Sequence, residues 1–135
     1  MRVDLSSDEI RSSLVAEIEE LCGQDVLKCY QCGRCSAGCP IVDEMDLLPN
    51  QVSRLIQLGL EQEVLNSKTV WLCVSCFMCQ SRCPQGVDLP TLMDSLRYLA
   101  TKRGYDRFGP NEIDRETIMR APQQGVVSAY RKLSS

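Results

Sequence analysis

Apolar residues return at helical intervals in three places along the chain. Ile10, Leu14, Ile18 and Leu21 form one stripe, widened by Val15 and Cys22, and this spacing predicts a helix over about 7–22. Ser6 and Glu9 would open it as a capping box, and Gly23 would end it in the C′ position. Val52, Leu55 and Ile56, set between Pro49 and Gly59, predict a second helix. Leu92, Met93, Leu96, Leu99 and Ala100, set between Pro90 and Gly104, predict a third. Residues 61–66 offer a short helical turn. The second and third helices are each preceded by an extended approach, Asp46-Leu47-Leu48-Pro49 and Gly86-Val87-Asp88-Leu89-Pro90, and each approach follows a cysteine-rich loop. The order loop, approach, helix therefore occurs twice and predicts a pseudo-twofold arrangement. Long alternating β-branched runs are missing, so the fold class is all-α.

Beyond residue 104 the pattern weakens, which divides the chain into a helical domain, 1–104, and a C-terminal extension, 105–135. Arg107, Arg115, Arg120 and Arg131 are scattered there among Pro110, Pro122 and Gly125. Ile113 and Ile118 suggest a short helix over about 111–120. The extension reads either as a solvated, loosely ordered tail or as an arm that docks on a partner through its arginines and the Val126, Val127, Tyr130, Leu133 patch.

Composition narrows the possibilities. The 135 residues fit one domain, yet two Phe, one Trp and four Tyr leave few large side chains for a core. A formal charge of −3 argues against general nucleic-acid binding. The absence of histidine removes imidazole acid–base chemistry and Rieske-type or histidine haem ligation from within the chain. No apolar run approaches the ~20 residues needed to cross a bilayer. The first residues lack the basic-then-apolar form of an export signal, so a reducing cytoplasm is the expected location.

Nine cysteines change the picture most. Cys29, Cys32, Cys35 and Cys39 have the spacing C-x2-C-x2-C-x3-C-P, which returns 44 residues later at Cys73, Cys76, Cys79 and Cys83. Three thiolates at i, i+3 and i+6 let a short loop wrap one iron–sulfur cube, and in two-cluster proteins the fourth cysteine ligates the other cluster. The expected sets are Cys29, Cys32, Cys35 and Cys83 on cluster one, and Cys73, Cys76, Cys79 and Cys39 on cluster two, both [4Fe-4S]. Structural zinc is the alternative, but it uses paired hooks and has no need of a third cysteine at the same interval. Disulfides are disfavoured by the odd count, the crowding and the expected compartment. Cys22, outside both motifs, reads as a small buried hydrophobe. Helical flanks around two such loops predict a helical ferredoxin arrangement rather than the strand-flanked loops of small bacterial ferredoxins.

Cubes held by four thiolates have no open iron position, so the expected chemistry is one-electron transfer. The two sites should differ in potential. Gly33, Ser36, Ala37 and Gly38 let backbone N–H groups approach the sulfurs of the first loop, whereas Phe77 and Met78 would exclude water from the second. Arg34 and Arg82 sit beside ligands and read as surface charges or as stabilisers of the added electron. No G-x-G-x-x-G nucleotide motif and no Cys-Cys-Gly element is present. No catalytic residue is indicated.

Both loops, the segment Val52-Ser53-Arg54-Leu55-Ile56-Gln57-Leu58-Gly59, and the run from Trp71 through Val87 resemble the iron–sulfur C subunit of heterodisulfide reductase, over about 10–103. All eight ligand positions match. The resemblance implies a helical ferredoxin with two [4Fe-4S] clusters. It also implies relay of electrons from or to a flavin-containing, electron-bifurcating subunit on one side. On the other side stands a catalytic subunit with Cys-Cys-Gly motifs. The family's substrate is a disulfide of two thiol cofactors in methane-forming archaea, and related bacterial complexes act on other sulfur compounds. Alternatives are a freely diffusing helical ferredoxin, or the iron–sulfur subunit of another dehydrogenase such as a succinate or fumarate oxidoreductase.

Overall fold

The computed structural model describes residues 13–105 and 112–133. Among the described residues every regular element is helical. They are α1 (Ser13–Cys22), α2 (Arg34–Ala37), α3 (Pro49–Gln57), α4 (Glu61–Leu65), α5 (Thr69–Leu72), α6 (Met78–Ser81), α7 (Leu89–Lys102), α8 (Arg115–Arg120) and α9 (Gln123–Leu133), with 3-10 turns at Val26–Lys28 and Val42–Glu44. The all-α expectation holds.

α7 is the longest of these helices and the centre of the packing, contacting α1, α4, α5, α6 and α9. Its stripe Leu92, Met93, Leu96, Leu99 and Ala100 is buried, as an amphipathic helix requires when other elements cover its apolar face. Leu14 and Ile18 of α1 and Val52 and Ile56 of α3 complete the core with Val26, Val64, Leu65 and Val70. Leu21, on the predicted α1 stripe, is 44% exposed: the packing against α7 and α3 covers the middle of α1 but not its last turn. The predicted capping box at Ser6 and Glu9 lies outside the described residues.

The repeated layout is visible in how helices begin and end. Pro49 and Pro90 both stand in the first turn of their helices, where the missing N–H costs nothing. Leu60 N donates to Leu55 O at 3.0 Å, and Tyr105 N donates to Ala100 O at 2.8 Å. Gly59 (φ +72°) and Gly104 (φ +78°) supply the left-handed residue that each of these closures needs.

Two clasps then tie the halves across each other. The Gln24 side chain, ahead of the first loop, donates to Asp88 O at 2.7 Å and accepts from Asp88 N at 2.8 Å. Thr69, ahead of the second loop, accepts through its hydroxyl from Leu47 N at 2.9 Å, with Leu47 O 2.7 Å away. Each segment leading into a loop thus grips the approach that follows the other loop. Past 111, α8 starts at Arg115, later than the spacing predicts, because Asp114 accepts from Thr117 N at 2.8 Å and fixes the cap there. α9 packs on α7.

Candidate metal centre

The two cysteine loops follow the same backbone path, residue by residue. Gln31 and Ser75, each just before the second cysteine of its motif, have φ of +64° and +51°. Gly33 and Phe77, each just after it, have φ of +76° and +61° and cap the short helices α2 and α6. These left-handed residues turn the chain sharply, and the three successive cysteines of each loop line one cavity. Glycine takes that conformation freely at 33, whereas phenylalanine carries a steric cost at 77. α2 and α6 then pack against each other. Each delivers the fourth cysteine of its motif towards the opposite half.

The result is two separate cavities. One is lined by Cys29, Cys32, Cys35 and Cys83. The other is lined by Cys39, Cys73, Cys76 and Cys79. Among the described residues, no three Cys, Asp or Glu side chains converge tightly enough to hold a single ion; the thiols stand around a volume rather than a point. Cys22 lines neither cavity. It is half-buried against the core, and its thiol lies 3.7 Å from Gln24 O.

Burial by itself disfavours anionic sulfur at these sites. Burial above all pushes the Cys79 thiol up to about 11, with the neighbouring Cys73 adding to the rise. Burial likewise raises Cys35, against hydrogen bonds from Ser36 that lower it. Charge on these sulfurs therefore needs a metal beside it, and metal binding has to displace their protons. Gln31 Nε2 donates to Cys29 Sγ at 3.3 Å and Val87 N donates to Cys83 Sγ at 3.3 Å. Ser53, 1% exposed, lines the first cavity, and its hydroxyl has no partner among protein groups. A buried orphan hydroxyl beside four cysteines fits a bound cube, whose sulfur would accept from it.

Several residues shape these sites without being cysteines. Gln57 Nε2 donates to Val26 O at 3.0 Å and Cys29 O at 2.8 Å, and Arg97 Nη1 donates to Val70 O at 2.9 Å and Cys73 O at 3.2 Å. Sequence reasoning missed both, together with Ser53 and Gln31. The available signal was a polar residue on an apolar stripe: Ser53 and Gln57 beside Val52 and Ile56, and Arg97 between Met93 and Ala100. Phe77 and Met78, expected to exclude water, are instead 51% and 45% exposed. Arg34 and Arg82 line an open cleft with Ala37 and Ser81.

Comparison with known proteins points to the same type of cofactor. Residues 25–87 match the family described as 4Fe-4S dicluster domain. The chain is 39% identical over 105 residues to the iron–sulfur C subunit of CoB–CoM heterodisulfide reductase from Methanopyrus kandleri, covering 76% of this chain and 55% of that protein. The C2 iron–sulfur subunit of the same enzyme from Methanocaldococcus jannaschii is 34% identical over 105 residues, covering 72% and 56%. The C subunit of the ferredoxin:CoB–CoM heterodisulfide reductase of Methanosarcina mazei is 32% identical over 96 residues, covering 71% and 59%. The chain spans somewhat over half the length of these relatives. On its helical scaffold the chain therefore holds a 4Fe-4S dicluster domain over residues 25–87, is similar to the iron–sulfur C subunits of heterodisulfide reductase, and carries two [4Fe-4S] clusters.

Proposed function

We propose that this chain passes single electrons through two [4Fe-4S] clusters inside a heterodisulfide reductase-like complex. Its neighbours there are a flavin-containing subunit on one side and a catalytic protein with Cys-Cys-Gly motifs on the other. Cluster one is held by Cys29, Cys32, Cys35 and Cys83, and cluster two by Cys73, Cys76, Cys79 and Cys39. The observation that carries this reading is the composition of the two cavities, each lined by three cysteines of one motif and the fourth of the other. Bound there, the clusters supply reversible one-electron redox chemistry with no vacant iron position. The chain's own part is to fix the sulfurs, to donate hydrogen bonds from Gln31, Val87 and Ser53, and to leave one edge of each site near solvent at Cys32 and Cys76.

Exposed apolar residues accompany those edges: Leu27 and Tyr30 by the first loop, Val74, Phe77 and Met78 in the second. Such groups suit partner surfaces that must come close for electron transfer. Ile118 and Met119, also exposed, give the extension 105–135 a docking role. No helix among the described residues is long and apolar enough to cross a membrane, and a reducing cytoplasm would keep eight ligand thiols free of disulfides.

Anaerobic purification from the native host tests the proposal. Co-elution with a flavoprotein and a Cys-Cys-Gly protein, with about eight iron atoms on this chain, is the expected result. Elution alone at full iron content would make the chain a diffusible carrier instead.

A further inference from the structure

The two halves share a bracing device that differs in one respect, its charge. Val26 and Val70 lie 44 residues apart, as do Cys29 and Cys73. In each half one side chain from the following helix holds both carbonyls: Gln57 in the first, Arg97 in the second. The neutral amide already meets the mechanical need, since it makes both bonds at 3.0 and 2.8 Å. Arg97 makes the same pair of contacts while burying a guanidinium, 9% exposed, and burying a charge is costly unless something compensates it. Its Nη2 pairs with Asp94 and lies 3.4 Å from Ser75 Oγ. The Asp94 side chain is 61% exposed and largely solvated, so the compensation from that side is weak.

Compensation from the other side would come from negative charge at Cys73, whose own carbonyl Arg97 binds. Arginine stays protonated throughout. A fixed cation beside a four-thiolate site acts on the electron count of that site, because reduction adds one negative charge and the attraction grows with it.

We propose that Arg97 is a positioning residue that raises the reduction potential of the cluster held by Cys39, Cys73, Cys76 and Cys79, a task its counterpart Gln57 does not perform for the other cluster. This rests on the ligand sets given under Proposed function. The electron comes from the partner donor, and Arg97 itself exchanges neither an electron nor a proton.

The test is an EPR-monitored redox titration of the full chain with both clusters loaded. The signal altered by Cys76→Ser identifies the cluster concerned. Arg97→Gln copies the amide of the first half. It should lower the reduced-to-oxidised ratio of that cluster about tenfold at a fixed potential, equivalent to about 59 mV for a one-electron couple, and leave the other cluster in place. Arg97→Lys should restore much of the shift. Asp94→Asn, a surface change that spares the fold, should move the same midpoint upwards by removing the opposing charge. Unmoved midpoints in Arg97→Gln, or in Asp94→Asn if the first variant does not fold, would overturn the inference, as would equal shifts of both clusters. Wild-type protein with a single cluster would instead overturn the ligand sets, and this inference with them.

Discussion

Ser53 and Met93 each stand one helical turn before the side chain that braces their loop, and each lines its own cavity. One offers an unpartnered hydroxyl, the other a thioether that donates nothing. A hydrogen bond to a charged acceptor contributes roughly 1.5–3 kcal/mol. Ser53→Ala should therefore make cluster one about tenfold harder to reduce at a fixed potential, without moving cluster two; an EPR titration shows either outcome. Phe77 poses a different residue-scale question. Its φ of +61° is close to the one that Gly33 adopts in the matching position, and its ring is half exposed. Phe77→Gly should relieve about 1 kcal/mol of backbone strain, so that the thermal midpoint of the isolated holo-protein stays level or rises. If the midpoint fell by several degrees, contacts of the ring would outweigh the strain.

Among the elements, the short helix α5 depends most on groups outside itself. Asp46 Oδ2 accepts from Lys68 N at 2.8 Å, and Oδ1 accepts from Thr69 N at 2.9 Å and lies 2.8 Å from the Thr69 hydroxyl. Desolvation alone would raise this carboxyl, but the bonds from Lys68 and Thr69 outweigh it and hold the group below its ordinary value. A depressed carboxylate stabilises the fold above its unfolded value and loses that contribution as pH falls through the folded one. Removal of such a cap costs about 1 kcal/mol. The stability gap between wild type and Asp46→Ala should therefore be constant from about pH 8 to 5 and close only below about pH 4. Thermal unfolding across that range checks it; a gap that changed between pH 8 and 5 would point to another group. The helices predicted from apolar periodicity, α3 and α7, were legible down to their glycine stops. α5 was not, because four residues, Thr69–Leu72, are too few for a period, and the carboxylate that caps them lies 22 residues before Lys68 in the chain.

For the molecule as a whole, the crossing of the halves is the property most open to a direct check. Cys39 lies in the first motif but lines the cavity of the second. Cys39→Ser should therefore perturb the EPR signal of the cluster held by Cys73, Cys76 and Cys79, and spare the one held by Cys29, Cys32 and Cys35. The reverse pattern would mean that each motif closes on its own cluster. Gln24 and Thr69 clasp the halves through backbone groups, which gives the crossed arrangement a support independent of metal.

Spacing alone determined the cofactor type, the number of sites and the all-helical scaffold. Metal ligation and amphipathic packing both impose short, repeating intervals on the chain, and those survive in a one-dimensional string. Tertiary structure decided what surrounds the sulfurs: the hydroxyl of Ser53, the amide of Gln57 and the guanidinium of Arg97 all reach the sites from α3 and α7, not from the cysteine loops themselves. It also left Phe77 and Met78 at the surface, against the expectation that apolar side chains beside a cluster would cover it. Burial and charge at a point are sums over neighbours brought together by folding, and no local interval in the sequence encodes that sum.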